Sequence, residues 1–122
     1  MAGTITILLL DGHQGVREAL AQRLRHAPGI GRVATAPTLD SALQAARDHA
    51  PQVVLYDPAT VAGDAAEAVQ CLKQAVGWVI VLTSSLLEDE AAALRRAGVA
   101  ALVLKGTKVS ALLALMETIL AE

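Results

Sequence analysis

The sequence predicts an α/β domain: a doubly wound, five-stranded parallel sheet with helices on both faces. Three observations carry this. Short apolar runs alternate with segments of helical period five times within 122 residues. The central runs are continuously apolar, as strands buried on both faces are. The connections are short, and right-handed crossovers then require parallel strands with helices above and below.

The first run, Thr4–Leu10, is rich in β-branched and leucine residues and stops at Asp11-Gly12. Gln14–Ala27 follows with Val16, Leu20, Leu24 and Ala27 at helical spacing, while Arg17, Glu18, Gln22 and Arg25 face away. Pro28-Gly29 ends that helix, and Arg32–Ala36 reads as a short second strand. Thr38 then caps a helix to about Ala50, with Leu39, Ala42, Leu43 and Ala46 on its apolar side and Pro51 closing it.

Val53-Val54-Leu55-Tyr56 runs directly into a carboxylate, Asp57, and then Pro58. Proline cannot donate to the ladder, so the third strand ends at Asp57. The stretch Pro58–Gly63 is a loop. Asp64-x-x-Glu67 has the form of a capping box, and Ala65, Val69, Leu72 and Val76 form the buried stripe behind it. Cys71 falls off that stripe, on a partly exposed flank. Gly77 breaks the helix before a fourth strand, Trp78–Thr83.

Ser85-x-x-Glu88 is a second capping-box pattern. Glu88, Asp89 and Glu90 near the start of that helix and Arg95 and Arg96 near its end complement the helix dipole, with Gly98 as the stop. Ala100–Leu104 is the fifth strand and ends at Lys105-Gly106. The last helix, about Lys108 to Ala121, buries Val109, Leu112, Leu113, Met116 and Ile119. Residues 1–122 therefore read as one domain, without repeats or a linker.

Composition narrows the function. Hydrophobic residues make up 54% of the chain, which excludes disorder, and aromatics only 2%, with no Phe. The core must be built from Val, Leu, Ile and Ala, and base stacking on aromatic rings has little to work with. A net charge of −2 gives no footprint for a phosphate backbone. The single cysteine, Cys71, cannot pair internally and fits a reducing compartment. No membrane-length apolar segment and no basic leader are present, so a soluble, cytoplasmic domain is expected.

Four of the strands end on Asp11, Asp57, Thr83 and Lys105. In a parallel sheet these ends share one edge, where open α/β sheets bind ligands. Two carboxylates offer hard oxygens to Mg²⁺. A hydroxyl and an ammonium suit phosphoryl oxygens. Together they describe a site at which an aspartate attacks a phosphoryl donor while positive charge offsets the developing negative charge.

These stretches resemble a known family. Ile7-Leu8-Leu9-Leu10-Asp11-Gly12-His13, Val53-Val54-Leu55-Tyr56-Asp57, Val79-Ile80-Val81-Leu82-Thr83-Ser84 and Leu102-Val103-Leu104-Lys105 are similar to the CheY-like receiver domains of two-component response regulators. Asp-x-His followed by Val16-Arg17-Glu18-Ala19-Leu20 resembles the NarL/LuxR-type branch, whose full proteins carry a helix-turn-helix output domain. The resemblance implies a flavodoxin/CheY-like (βα)5 fold with strand order 2-1-3-4-5. It implies Asp57 as phosphoacceptor from a histidine kinase and Asp11 as an acidic-pocket residue. Thr83 would be the switch hydroxyl and Lys105 the phosphoryl-contacting ammonium. Mg²⁺ would be held by Asp11, Asp57 and the Ala59 backbone carbonyl. DNA would be reached only through an output domain that 1–122 does not contain.

The sequence also departs from that pattern. The second of two adjacent acids after the first strand is Gly12, so Mg²⁺ binding should be weak, and Gly12→Asp should strengthen it. The loop reads Pro58-Ala59-Thr60-Val61-Ala62-Gly63 where Met-Pro and Gly are usual, the aromatic switch position is Leu102, and Gly106 follows the lysine. An alternative function is therefore a phosphorylation-independent dimerisation or ligand-sensing module. Ala111, Ala114 and Leu115, off the buried stripe of the last helix, are the expected homodimer face. Free-standing catalysis is not expected: neither a phosphatase Asp-x-Asp nor a nucleotide-binding glycine motif is present. His13 reads as an ordinary feature of its motif, His26 and His49 as surface residues, and Tyr56 as packing.

Overall fold

A computed structural model describes residues 4–85 and 87–122. Among these, the chain forms β1 (Ile5–Leu10), α1 (Gln14–Arg25), β2 (Ile30–Ala36), α2 (Leu39–His49) and β3 (Val53–Tyr56). It continues through α3 (Ala65–Val76), β4 (Trp78–Thr83), α4 (Glu88–Ala97), β5 (Ala101–Leu104) and α5 (Val109–Leu120). The strands pair in parallel in the order β2-β1-β3-β4-β5. The expected strand–helix alternation and strand order are both present. Because the chain leaves β1 for the edge and returns to β3, the order reverses between β1 and β3, which opens a crevice at their carboxyl ends.

The continuous apolar runs are explained by two cores, one on each face. Ile7 and Leu9 of β1, Leu55 of β3 and Ile80 and Leu82 of β4 pack against Leu20 and Leu24 of α1 and Leu112 and Met116 of α5. The alternate residues Leu8, Leu10, Val54, Tyr56, Val79 and Val81 pack against Ala42, Ala46, Val69, Leu72 and Leu94 of α2, α3 and α4. Successive strand residues point to opposite faces, so burial of both faces leaves no polar position in β3. Each fully buried Leu, Ile or Val removes enough apolar surface for about 1.5–3 kcal/mol. Tyr56 is the only aromatic in either core among the described residues, while Trp78 at the amino end of β4 is 38% exposed.

Several boundaries and faces differ from expectation. β2 starts at Ile30, two residues early, because Ile30 pairs with Ile5 across a register irregularity. The neighbouring Gly31 had obscured this, since glycine inside a strand weakens the pattern. Val16 is exposed rather than part of the α1 stripe, which consists of Leu20, Ala21 and Leu24. Arg17 is half-buried rather than facing away, and its guanidinium donates to the Asp11 carbonyl at 2.9 Å; Arg25 is exposed as expected, with its guanidinium on the Val33 carbonyl at 2.9 Å. α4 is not capped by Ser85. It begins at Glu88 with Leu87 at the cap position, and the Glu90 carboxylate accepts from the Leu87 N–H at 3.0 Å.

Other signals hold. Thr38 caps α2 reciprocally with Ser41, and Asp64 caps α3 by accepting from the Glu67 N–H at 2.9 Å. Gly98 ends α4 in the left-handed conformation at φ 102°. Cys71 is exposed, and Leu115 is half-buried against the core while Ala111 and Ala114 are exposed. No helix among the described residues is long and apolar enough to cross a membrane.

Candidate functional site

The carboxyl ends of the strands deliver four polar side chains to one edge, as their positions in the sequence require. Asp11 follows β1 and Asp57 follows β3. Their backbones lie side by side, because the Asp57 N–H donates to the Leu10 carbonyl at 3.0 Å. The Lys105 N–H donates to the Thr83 carbonyl at 2.9 Å, which ties β5 to β4 at the same edge. Asp11, Asp57 and Thr83 are all buried, at 1%, 4% and 3% exposure. Buried carboxylates demand partners, and each one here has them.

The Lys105 ammonium is the shared partner. Its Nζ lies 2.6 Å from Asp11 Oδ2 and makes a short hydrogen bond to Asp57 Oδ2. The Asp11 contact is an ion pair off the hydrogen-bond direction, since Asp11 Oδ2 takes no hydrogen bond of its own. The outer oxygens are held by the loops. Asp11 Oδ1 accepts from the His13 N–H at 2.8 Å and from the Thr60 hydroxyl at 3.0 Å. Asp57 Oδ1 accepts from the Ala59 N–H at 2.9 Å. It is thus the amide of Ala59 that meets Asp57.

Electrostatics follow the geometry. Burial pushes the Asp11 pKa up, but the Lys105 contact, the His13 N–H, the Thr60 hydroxyl and the lysine charge outweigh it and hold the carboxyl below its ordinary value. Burial works the other way on Lys105, and its close contacts and charge attraction with Asp11 and Asp57 raise it above 10.5. Tyr56, next to Asp57, is pushed up to about 12 by burial and then by the Asp57 and Asp64 charges. Its hydroxyl is buried without a partner among the described residues.

Thr83 shares the edge but not the ion-pair cluster: its hydroxyl donates to the Ser85 carbonyl at 3.3 Å. A cleft of about 400 Å³ opens beside it, lined by Pro58, Ala59, Thr83, Ser85, Glu90 and Leu94 among others. Leu102, paired in register with Val81, is half-buried against the α2–α3–α4 core. His13 acts as the α1 cap, its Nδ1 accepting from the Val16 N–H at 3.2 Å. His26 and His49 are exposed and bond to the Gln22 carbonyl and Arg32.

Two residues that sequence reasoning passed over belong to the site. Arg17 holds the Asp11 carbonyl. Thr60 is the more consequential: its hydroxyl bridges Asp11 Oδ1 and the Gly12 N–H, the latter at 2.9 Å. Its main chain is closer still. A Cβ built at Gly12 would lie 1.9 Å from the Thr60 carbonyl oxygen. Gly12 itself is the signal that was available, because glycine is used where another backbone approaches closely. An aspartate at position 12 therefore has no room while Thr60 stays in place, which corrects the expectation that Gly12→Asp simply adds a ligand.

A divalent cation does not fit the donor set as arranged. Mg²⁺ needs near-octahedral oxygens at about 2.0–2.1 Å. Both facing carboxylate oxygens are taken by Lys105, Asp11 Oδ1 is taken by two donors, and the Thr60 main-chain carbonyl fills the space over Gly12. The described residues contain no cluster of three or more His, Cys, Asp or Glu side chains suited to a metal ion.

Comparison with known proteins agrees with this architecture. The model of the response regulator receiver domain matches residues 7–117. A two-component response regulator of the LuxR family from Aurantimonas sp. SI85-9A1 is 27% identical, with a TM-score of 0.83 over 98% of this chain and 86% of that one. Two further structures share the fold. A CheY-like receiver domain protein from Methanospirillum hungatei JF-1 is 18% identical, with a TM-score of 0.84 over 98% of this chain and 95% of that one. The receiver domain of a DNA-binding response regulator (merR) from Colwellia psychrerythraea 34H is 19% identical, with a TM-score of 0.82 over 97% and 99%. No curated protein matches the chain.

Proposed function

The chain belongs to the response regulator receiver domain family, and on that premise we propose that it receives a phosphoryl group on Asp57 from a histidine kinase and relays the signal to a helix-turn-helix output domain acting in transcription. Receiver domains are signalling modules of two-component systems rather than enzymes in general. They interact with kinases and output domains, and they typically bind Mg²⁺ at an acidic pocket. In the proposed step an Asp57 carboxylate oxygen forms a bond to phosphorus. The bond from phosphorus to the kinase histidine nitrogen breaks, and that nitrogen keeps the electron pair and takes a proton.

One observation carries the assignment to Asp57: a buried carboxylate at the carboxyl end of a central strand, paired with the Lys105 ammonium. The ammonium is positioned to offset charge arriving on phosphoryl oxygens. Thr83, on the same edge, is the hydroxyl available to follow that charge, and Leu102 is the residue whose packing would respond. The experiment is phosphodonor labelling read by intact mass, with Asp57→Ala as control.

A second reading is favoured by one feature. With Thr60 seated over Gly12 and Lys105 between the carboxylates, the site's negative charge is halved and the site is closed by its own residues. Such a receiver signals without phosphorylation, by dimerisation or by a ligand in the cleft beside Thr83. A second copy meeting the exposed Ala111 and Ala114 face of α5 is the homodimer proposed under either reading. A cytoplasmic location is part of the same proposal.

A further inference from the structure

Thr60 ties the loop after β3 to both strand-end acids and to Gly12. Its hydroxyl donates to Asp11 Oδ1 at 3.0 Å, lies 3.3 Å from the Asp57 carbonyl, and accepts from the Gly12 N–H at 2.9 Å. Its N–H reaches the Asp57 carbonyl at 3.4 Å. Its carbonyl oxygen fills the space that any side chain at position 12 would enter. No left-handed backbone conformation is involved at Gly12; what the glycine supplies is space.

We infer that Thr60 is the specificity-determining residue of this pocket: it closes the Asp11–Asp57 pair to divalent cations, leaving Lys105 as the resident cation. The inference rests on reading Asp11 and Asp57 as the acidic pair of a receiver. A hexacoordinate cation that gives up its water reluctantly needs several free oxygens presented together. Here Asp11 Oδ1 is saturated by the Thr60 hydroxyl and the His13 N–H, and the inner oxygens face an ammonium. The hydroxyl acts as an anchor. It ties residue 60 to Asp11 and Gly12 together, so the carbonyl stays over Gly12. A cation reaches the pair only when the 58–63 loop lifts. Thr60 is exposed, and its replacement removes no core contact.

The test is Mn²⁺ titration, followed by paramagnetic broadening of amide resonances near Asp11 and Asp57, on the unaltered chain, Thr60→Val and Thr60→Ser. Val keeps the shape and removes the anchor, whereas Ser keeps the hydroxyl. The inference expects Thr60→Val to bind Mn²⁺ at least about tenfold more tightly than the unaltered chain, the scale on which outer contacts tune metal sites. Thr60→Ser should behave as the unaltered chain. Equal affinity in the unaltered chain and Thr60→Val, whether tight or undetectable, overturns it. Whether Asp57 is labelled at all by a phosphodonor, read separately by mass, reports on the phosphoacceptor reading, whereas the anchor bears only on the rate. Broadening that rises in Thr60→Val without any Asp57 adduct would retain the anchor and reject phosphotransfer.

Discussion

Lys105 Nζ lies 2.6 Å from Asp11 Oδ2, and the same ammonium bonds Asp57. The two carboxylates come from separate strands, so the lysine after β5 pairs with both, offsets one of their two charges and pins the far edge of the sheet to its centre.

Lys105→Met should therefore strand two buried carboxylates and lower stability by about 1–3 kcal/mol near neutral pH. The pH dependence follows from the shifts. Asp11, held below 3.8, contributes stability that is present above that value and lost as pH falls through its folded pKa. Lys105, raised above 10.5, contributes stability that is present below that value and lost as pH rises through its folded pKa. Denaturant unfolding across pH should show the largest difference from Lys105→Met on the plateau between, narrowing at both ends. A difference unchanged down to the acid limit would show that the ion pair is not its source.

Gly12→Ala should cost about 1–3 kcal/mol, because its Cβ meets a main-chain carbonyl and the loop must shift. Gly15→Ala is the contrast. Its Cβ would lie 3.6 Å from His13 Cε1, an ordinary contact in the first turn of α1, and the change should be neutral or gain up to about 1 kcal/mol. Equal effects in chemical denaturation would mean that the Thr60 main chain yields freely.

Tyr56 is the only tyrosine in the chain, so a spectrophotometric titration reads it alone. With the phenol pushed up to about 12, no tyrosinate should form around its ordinary value of 10.0 while the protein is folded. Tyr56→Phe removes a buried hydroxyl without a partner and should be neutral or stabilising by up to about 1 kcal/mol. A clear loss of stability would point to a bond to that hydroxyl.

The α5 face gives a prediction about assembly. Ala111→Glu or Ala114→Glu should shift a dimer toward monomer in sedimentation at equal concentration, without loss of stability, since both positions are exposed. Leu115→Glu is the wrong probe because Leu115 also packs on the core. Monomer at every concentration in the unaltered chain would remove the dimer proposal.

The fold was legible because β1, β3 and β4 are apolar on both faces and each is followed by a helix with a narrow apolar stripe. Asp11, Asp57, Thr83 and Lys105 were legible for the same reason: a parallel sheet places strand ends on one edge whatever the helices do. What escaped depends on long-range approach. Nothing local to Thr60 says that its carbonyl lies over Gly12, since the two sit in separate loops, after β3 and after β1, that meet only because those strands are neighbours in the sheet. Arg17 was read as solvent-facing from its place on the helical wheel, but a long side chain in the first turns of α1 reaches back to the Asp11 carbonyl. Ser85 matched a capping pattern that Leu87 and Glu90 displaced by two residues, because such a motif fixes helix starts only loosely.

The central claim is that Asp57 accepts a phosphoryl group at this edge. The direct measurement is intact mass after incubation with a small phosphodonor and Mg²⁺, on the unaltered chain, Thr60→Val and Asp57→Ala. The account predicts one phosphoryl adduct in Thr60→Val, a slower adduct of the same mass in the unaltered chain, and none in Asp57→Ala. An adduct that persists in Asp57→Ala, or none in either of the other chains, would contradict it.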